Sequence, residues 1–224
     1  MSSTKMITAL LISLLAFPLA GSGEIPPPPE DVQAEYGFSE LNEDTLQKLL
    51  SQGSLMIVRT RDDMSLINVT SGQVVDVPLD VVWSTLIDYE SYEEFIPQTE
   101  KQVILEQEGN RYLLRQDISV QIWRLPGINV SYKLSQHATP KTGIRFYHVE
   151  GKLQGTYGGW DLVPVDDKTM IFYTLFSNLT ELGWGIGSLM EAQPDFMTGV
   201  NMITAMMVTK AVKKECERRH RQGK

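Results

Sequence analysis

Between residues 102 and 178 apolar and polar side chains alternate with period two, the repeat of a strand with one buried face. The alternation predicts strands over 102–106, 111–123, 128–139, 144–150, 156–164 and 168–178. Turn-forming residues separate them at Glu108-Gly109-Asn110, Pro126-Gly127, Pro140-Lys141-Thr142-Gly143 and Asp166-Asp167. Consecutive long strands joined by tight turns form an antiparallel meander. Ile118, Val120 and Ile122 in one strand and Ile128, Val130, Tyr132 and Leu134 in the next fall on one side, so one face is apolar and the other largely polar.

A sheet with a single apolar face needs a covering layer. After Trp184 apolar residues recur at helical steps, Phe196, Val200, Ile203, Met207 and Ala211, which predicts a long C-terminal helix with Pro194 in or near its first turn. Ahead of the meander, residues 55–77 are rich in β-branched side chains and read as two strands or one bent strand pair about Asp62-Asp63. Pro78 opens a helix carrying Val81, Val82, Trp83, Leu86 and Ile87, a second short helix covers 90–95, and the segment ends at Pro97. Residues 39–50 have the spacing of a short amphipathic helix, with Gly53 as its stop. The class is α+β.

The N-terminus has a different character. Lys5 precedes an apolar run of 15 residues, Met6 to Ala20, followed by Gly21, Ser22 and Gly23. This is the order of a secretory signal peptide, and the run is shorter than the roughly 20 residues of a spanning helix. The organisation is therefore a signal peptide over 1–23, a Pro-rich linker over 24–38 and one domain over 39–224, exported to a periplasmic or extracellular compartment. A retained N-terminal anchor is the alternative.

The formal charge of −8 disfavours nucleic acid, because phosphates need a basic surface. Lys210, Lys213, Lys214, Arg218, Arg219, Arg221 and Lys224 crowd the C-terminal end, either as a solvated helix end or as a surface for peripheral contact with an anionic membrane. Cys216 is the only cysteine, so no internal disulfide is expected. His137, His148 and His220 are not spaced as a metal pair, and neither a metal site nor a cofactor is expected. His148 and Glu150 share one face of a strand and could perform acid–base work if they pointed inward; the solvent face is the expectation. Gly183, Gly185 and Gly187 lack the context of a phosphate loop and read as a joint before the long helix.

Residues 77–97, VPLDVVWSTLIDYESYEEFIP, resemble the opening signature of the START-like polyketide cyclase (SRPBCC) superfamily through Pro78, Val82, Trp83, Asp88, Tyr89, Tyr92, Phe95 and Pro97. More narrowly they are similar to its coenzyme Q-binding branch. Gly151, Gly155, the run from Trp160 to Pro164 and the following TMIFYTL resemble the superfamily's last two strands. The resemblance implies a helix-grip fold, a curved antiparallel β-sheet wrapped around the long C-terminal α-helix, with two short helices after the first strand. Superfamily members hold sterols, phospholipids, quinones or polyketides between sheet and helix, and a few are cyclases or hydrolases.

On that fold the expected ligand-binding residues are Val120, Tyr132, Phe146, Trp160, Ile171 and Tyr173 from the sheet, with Met202, Ile203 and Met206 from the helix. Tyrosine hydroxyls would orient a mostly apolar ligand, and the adaptable methionines would fit its outline. The expected function is an exported, non-enzymatic binding or carrier domain for a hydrophobic small molecule, an isoprenoid quinone or a lipid. The alternatives are a cyclase- or hydrolase-like enzyme in the same cavity and a membrane-docking module.

Overall fold

The computed structural model describes residues 43–51, 53–120, 127–183, 187–188 and 192–223. The signal peptide and linker readings, and the end of the strand expected over 111–123, lie outside these. The order is helix α1 (Glu43–Ser51), β1 (Leu55–Thr60), β2 (Leu66–Val75), α2 (Leu79–Leu86), a 3-10 turn (Tyr89–Ser91), α3 (Tyr92–Phe95), β3 (Thr99–Glu108), β4 (Arg111–Val120), β5 (Ile128–Thr139), β6 (Gly143–Gly151), β7 (Tyr157–Val165), β8 (Lys168–Phe176), a 3-10 turn (Thr180–Leu182) and α4 (Pro194–Gln222).

The eight strands form one antiparallel sheet in the order β1-β2-β8-β7-β6-β5-β4-β3. Neighbours in sequence are neighbours in space from β3 to β8, as the meander predicts, and the β2–β8 pairing joins the first hairpin to the last strand. A Thr70–Thr174 hydroxyl contact of 2.8 Å lies buried at that seam. The short helices follow a complete hairpin, because the chain reverses at Asp63: its carboxylate accepts from the Ser65 amide at 2.9 Å, and Met64 takes the left-handed conformation (φ 66°).

The concave face holds the main core, in which Val69, Val75, Val82, Leu86, Ile171, Val212 and Cys216 are fully buried or nearly so. The convex face is less polar than the alternation suggests. Leu46 and Leu50 of α1 cover Met170 and Phe172, which makes a second, smaller core on the opposite side of β8. Gly72 has no room for a side chain there, since a Cβ would stand 2.7 Å from the Phe172 ring.

Helix α4 is fastened differently at its two ends. Near its C-terminus Arg219 donates to Asp88 at 2.8 Å and to Ser91 at 2.9 Å, while Lys213 donates to the Val74 carbonyl at 2.6 Å. Glu215, buried, accepts from Arg218 and Arg219 at 2.6–2.7 Å. The Arg218 hydrogen bonds, aided by Arg219 and opposed by burial, hold the Glu215 carboxyl down at about 2. Much of the C-terminal basic cluster is thus engaged within the protein, while Lys210, Lys214 and Arg221 of that cluster are exposed, as is Arg218 beside its Glu215 pairing. At the N-terminal half, the buried Asn201 clips the helix to the end of β8: it accepts from the Ser177 amide at 2.7 Å and donates to the Ser177 carbonyl at 3.1 Å.

Candidate ligand-binding cavity

The sheet curves away from the N-terminal half of α4 and leaves a cavity of about 350 Å³ between them. Its size falls within the range of small-molecule sites, roughly 300–1,000 Å³. Strands β3 to β8 supply the floor, Tyr92, Ile96 and Pro97 one side, and α4 the roof. Gln98 and Ile203 are exposed at its rim, Ile203 by 55%, and mark the side on which it opens.

Six of the nine residues expected from sequence line this space: Val120, Tyr132, Phe146, Trp160, Tyr173 and Ile203. Ile171, Met202 and Met206 do not. Ile171 points to the concave face but is fully buried in the packed core, two residues further than Tyr173 from the open end of β8. The roof is built from Phe196, Val200, Ile203, Thr204, Met207 and Val208, whose steps of three and four keep one helix face toward the sheet. Met202 and Met206 fall on other faces of that helix; Met202 packs against the core from its flank. Met207, the methionine that does line the cavity, belongs to the same apolar stripe as Val200.

Aromatic rings form the inner end. Trp160 and Tyr173 are 4.5 Å apart by ring centroid, and Phe146 lies 6.1 Å from Tyr173 in a stacked arrangement. Gly158 makes room for this group: a Cβ on it would run into the Phe146 ring and the Thr174 carbonyl.

Three glutamines on the inward face are additions that the sequence reading passed over. Gln102, Gln116 and Tyr132 form one cross-strand row on β3, β4 and β5. The Tyr132 hydroxyl donates to Gln116 Oε1 at 2.7 Å, and Gln116 Nε2 donates to Thr99 at 3.4 Å. Gln136 sits four residues further along β5, opposite Phe146 of β6. A glutamine at an inward position of an otherwise apolar alternation, as in Leu114, Gln116, Ile118, is the signal that could have found them.

Among the described residues the cavity wall has no carboxylate, imidazole, amine or guanidinium. Its ionisable groups are the phenols of Tyr92, Tyr132 and Tyr173, and burial pushes Tyr92 and Tyr132 well above the ordinary phenol range. The Tyr92 hydroxyl is committed to the Leu86 carbonyl at 2.6 Å. His148 and Glu150 lie outside: His148 Nε2 is 3.1 Å from the Gly151 carbonyl, and Glu150 pairs with Lys133 at 2.6 Å.

A family model described as polyketide cyclase / dehydrase and lipid transport matches residues 75–214, from the last residue of β2 into α4. The chain belongs to this family. The helix-grip architecture recurs in solved structures of low sequence identity. A STAR-related lipid transfer protein from Xanthomonas axonopodis is 16% identical with a TM-score of 0.56, over 74% of this chain and 94% of that one. The Zhui aromatase/cyclase from Streptomyces sp. R1128 is 20% identical with a TM-score of 0.55, over 70% and 96%. A START superfamily protein from Mycobacterium smegmatis is 17% identical with a TM-score of 0.50, over 70% and 99%. No curated protein sequence matches the chain. The family's description includes lipid transport, in keeping with a domain for hydrophobic ligands.

Proposed function

We propose that the chain is an exported, non-enzymatic carrier of a hydrophobic small molecule, an isoprenoid quinone or a lipid, held between the sheet and α4. The observation that carries this reading is the composition of the cavity wall: apolar and aromatic side chains, neutral polar groups and, among the described residues, no acid–base pair. Each 100 Å² of apolar ligand surface taken out of water there contributes about 2.5 kcal/mol. The resemblance of residues 77–97 to the coenzyme Q-binding branch supports a quinone, and the apolar run behind Lys5 supports export. One structural relative is named as a lipid transfer protein and another as an aromatase/cyclase. Against a cyclase-like reaction in this chain, no group that could exchange a proton near neutral pH lines the cavity among the described residues.

The test is organic extraction of the purified protein with mass spectrometry of the extract, paired with uptake of the neutral dye Nile red. A co-purifying lipophile, or saturable dye uptake at one site per chain, is the expected result. An empty protein that also takes up no dye overturns the proposal.

A further inference from the structure

The cavity has one closed end and one open one. Trp160 and Tyr173 close it on the sheet side, and the next inward-facing row, Leu162 and Ile171, is packed in the core and does not border the space. On α4 the last lining residues are Met207 and Val208; further along, Val212 and Cys216 are fully buried. The space cannot continue in that direction without unpacking the core. The opposite end reaches solvent at Gln98 and Ile203.

The roof is also pinned on both sides of the space. Asn201, itself a lining residue, grips the Ser177 backbone at 2.7 and 3.1 Å. Beyond the closed end Lys213 and Arg219 fasten the helix to Val74, Asp88 and Ser91. Spreading helix and sheet to admit more would break these contacts, so the present walls set the capacity. An apolar cavity of about 150 Å³ accepts one benzene, roughly 25 Å³ for each heavy atom, and on that scale about 350 Å³ takes about 14. A lipid with two long acyl chains, or a quinone with a long polyprenyl tail, has several times as many.

Resting on the carrier reading above, we infer that the protein holds a single-chain amphiphile by one end: about 14 heavy atoms of its chain lie inside, and the rest leaves past Ile203. The head group stays in water at the mouth, because among the described residues no charged side chain lines the wall to receive an ionised head. A lipid with two acyl chains could place only one of them here and would keep the other's apolar surface in water, so it is the poorer match.

The experiment measures displacement of Nile red from the full chain by saturated fatty acids from decanoate to eicosanoate, odd chains included, at pH 8 and below the concentrations at which they aggregate. Affinity is expected to rise about fourfold with each added carbon up to about tetradecanoate, while the chain fills the cavity, and then to level off as further carbons stay in water beyond Ile203. Phe146→Leu in the wall and Met207→Ala in the roof each remove about three heavy atoms from the lining, and each should move the break about three carbons higher. Either variant serves should the other fail to fold. A series with no break, one that falls beyond its break, a break that neither variant moves, or no displacement by any member overturns the inference and leaves the carrier reading standing. An unaltered protein that takes up neither Nile red nor any fatty acid overturns both.

Discussion

The Tyr132 hydroxyl donates to Gln116 Oε1 at 2.7 Å across the β4–β5 pair, and so ties together two of the polar groups on a mixed apolar and polar wall. Tyr132→Phe removes the donor and leaves the amide oxygen without it. The expected cost is about 1–2 kcal/mol of stability. In a urea titration the midpoint falls with the slope unchanged. An unchanged midpoint would mean that the bond is dispensable.

Val200 belongs to the roof and borders the cavity, so Val200→Trp should fill space rather than force strain. Nile red affinity is expected to fall at least about tenfold while the melting temperature stays within a few degrees of the unaltered protein. Equal dye binding would place the dye elsewhere.

Gly158 offers the opposite case. Its neighbours, the Phe146 ring and the Thr174 carbonyl, leave no space for a methyl group. Gly158→Ala should destabilise the fold by about 1–3 kcal/mol, because the ring must shift into the cavity. The same denaturant titration checks it, and ligand uptake should weaken in parallel.

The paired Glu215 makes the fold acid-sensitive in a defined window. Its carboxyl is held at about 2 against an ordinary value of 4.5, so folding favours the charged form. That contribution is complete above about pH 4.5 and is lost as pH falls toward 2. Glu215→Gln should cost about 1–2 kcal/mol at pH 7 and flatten the stability curve between those limits. A variant with the same acid limb as the unaltered protein would assign the slope to other groups.

Burial pushes the Cys216 thiol up to about 11, with only partial relief from Thr85 and Arg219. At pH 8 in the folded protein it should react with a disulfide reagent only as fast as the structure opens, and at once in denaturant. Prompt labelling of the folded protein would contradict its burial at the α2–α4 contact.

Period-two alternation was enough to find the meander from β3 to β8: the strand expected over 128–139 coincides with β5, the one expected over 111–123 begins where β4 does, and the others differ from β3, β6, β7 and β8 by at most three residues at either end. The inward side chains Tyr132, Phe146, Trp160 and Tyr173 were legible for the same reason. Depth was not. Ile171 and Tyr173 share a face and a strand, yet one is packed and the other borders space, and alternation carries no information about how far a curved sheet stands from its helix. The methionines failed through composition: Met202 and Met206 suit a ligand by chemistry, but their helical phase turns them from the cavity. The glutamines escaped because a polar residue on an apolar face breaks the pattern, and it is at such breaks that a binding wall differs from a core.

The seam between β2 and β8 also governs how the protein must assemble. Pairings from β3 to β8 close short hairpins, which form early and at small entropic cost. Thr70 and Thr174 are 104 residues apart, and nothing in the intervening meander brings them together until the first hairpin docks. The barrier to folding therefore falls on that late closure, and slowing it would expose the greasy inner surface of a half-built sheet to its neighbours in solution.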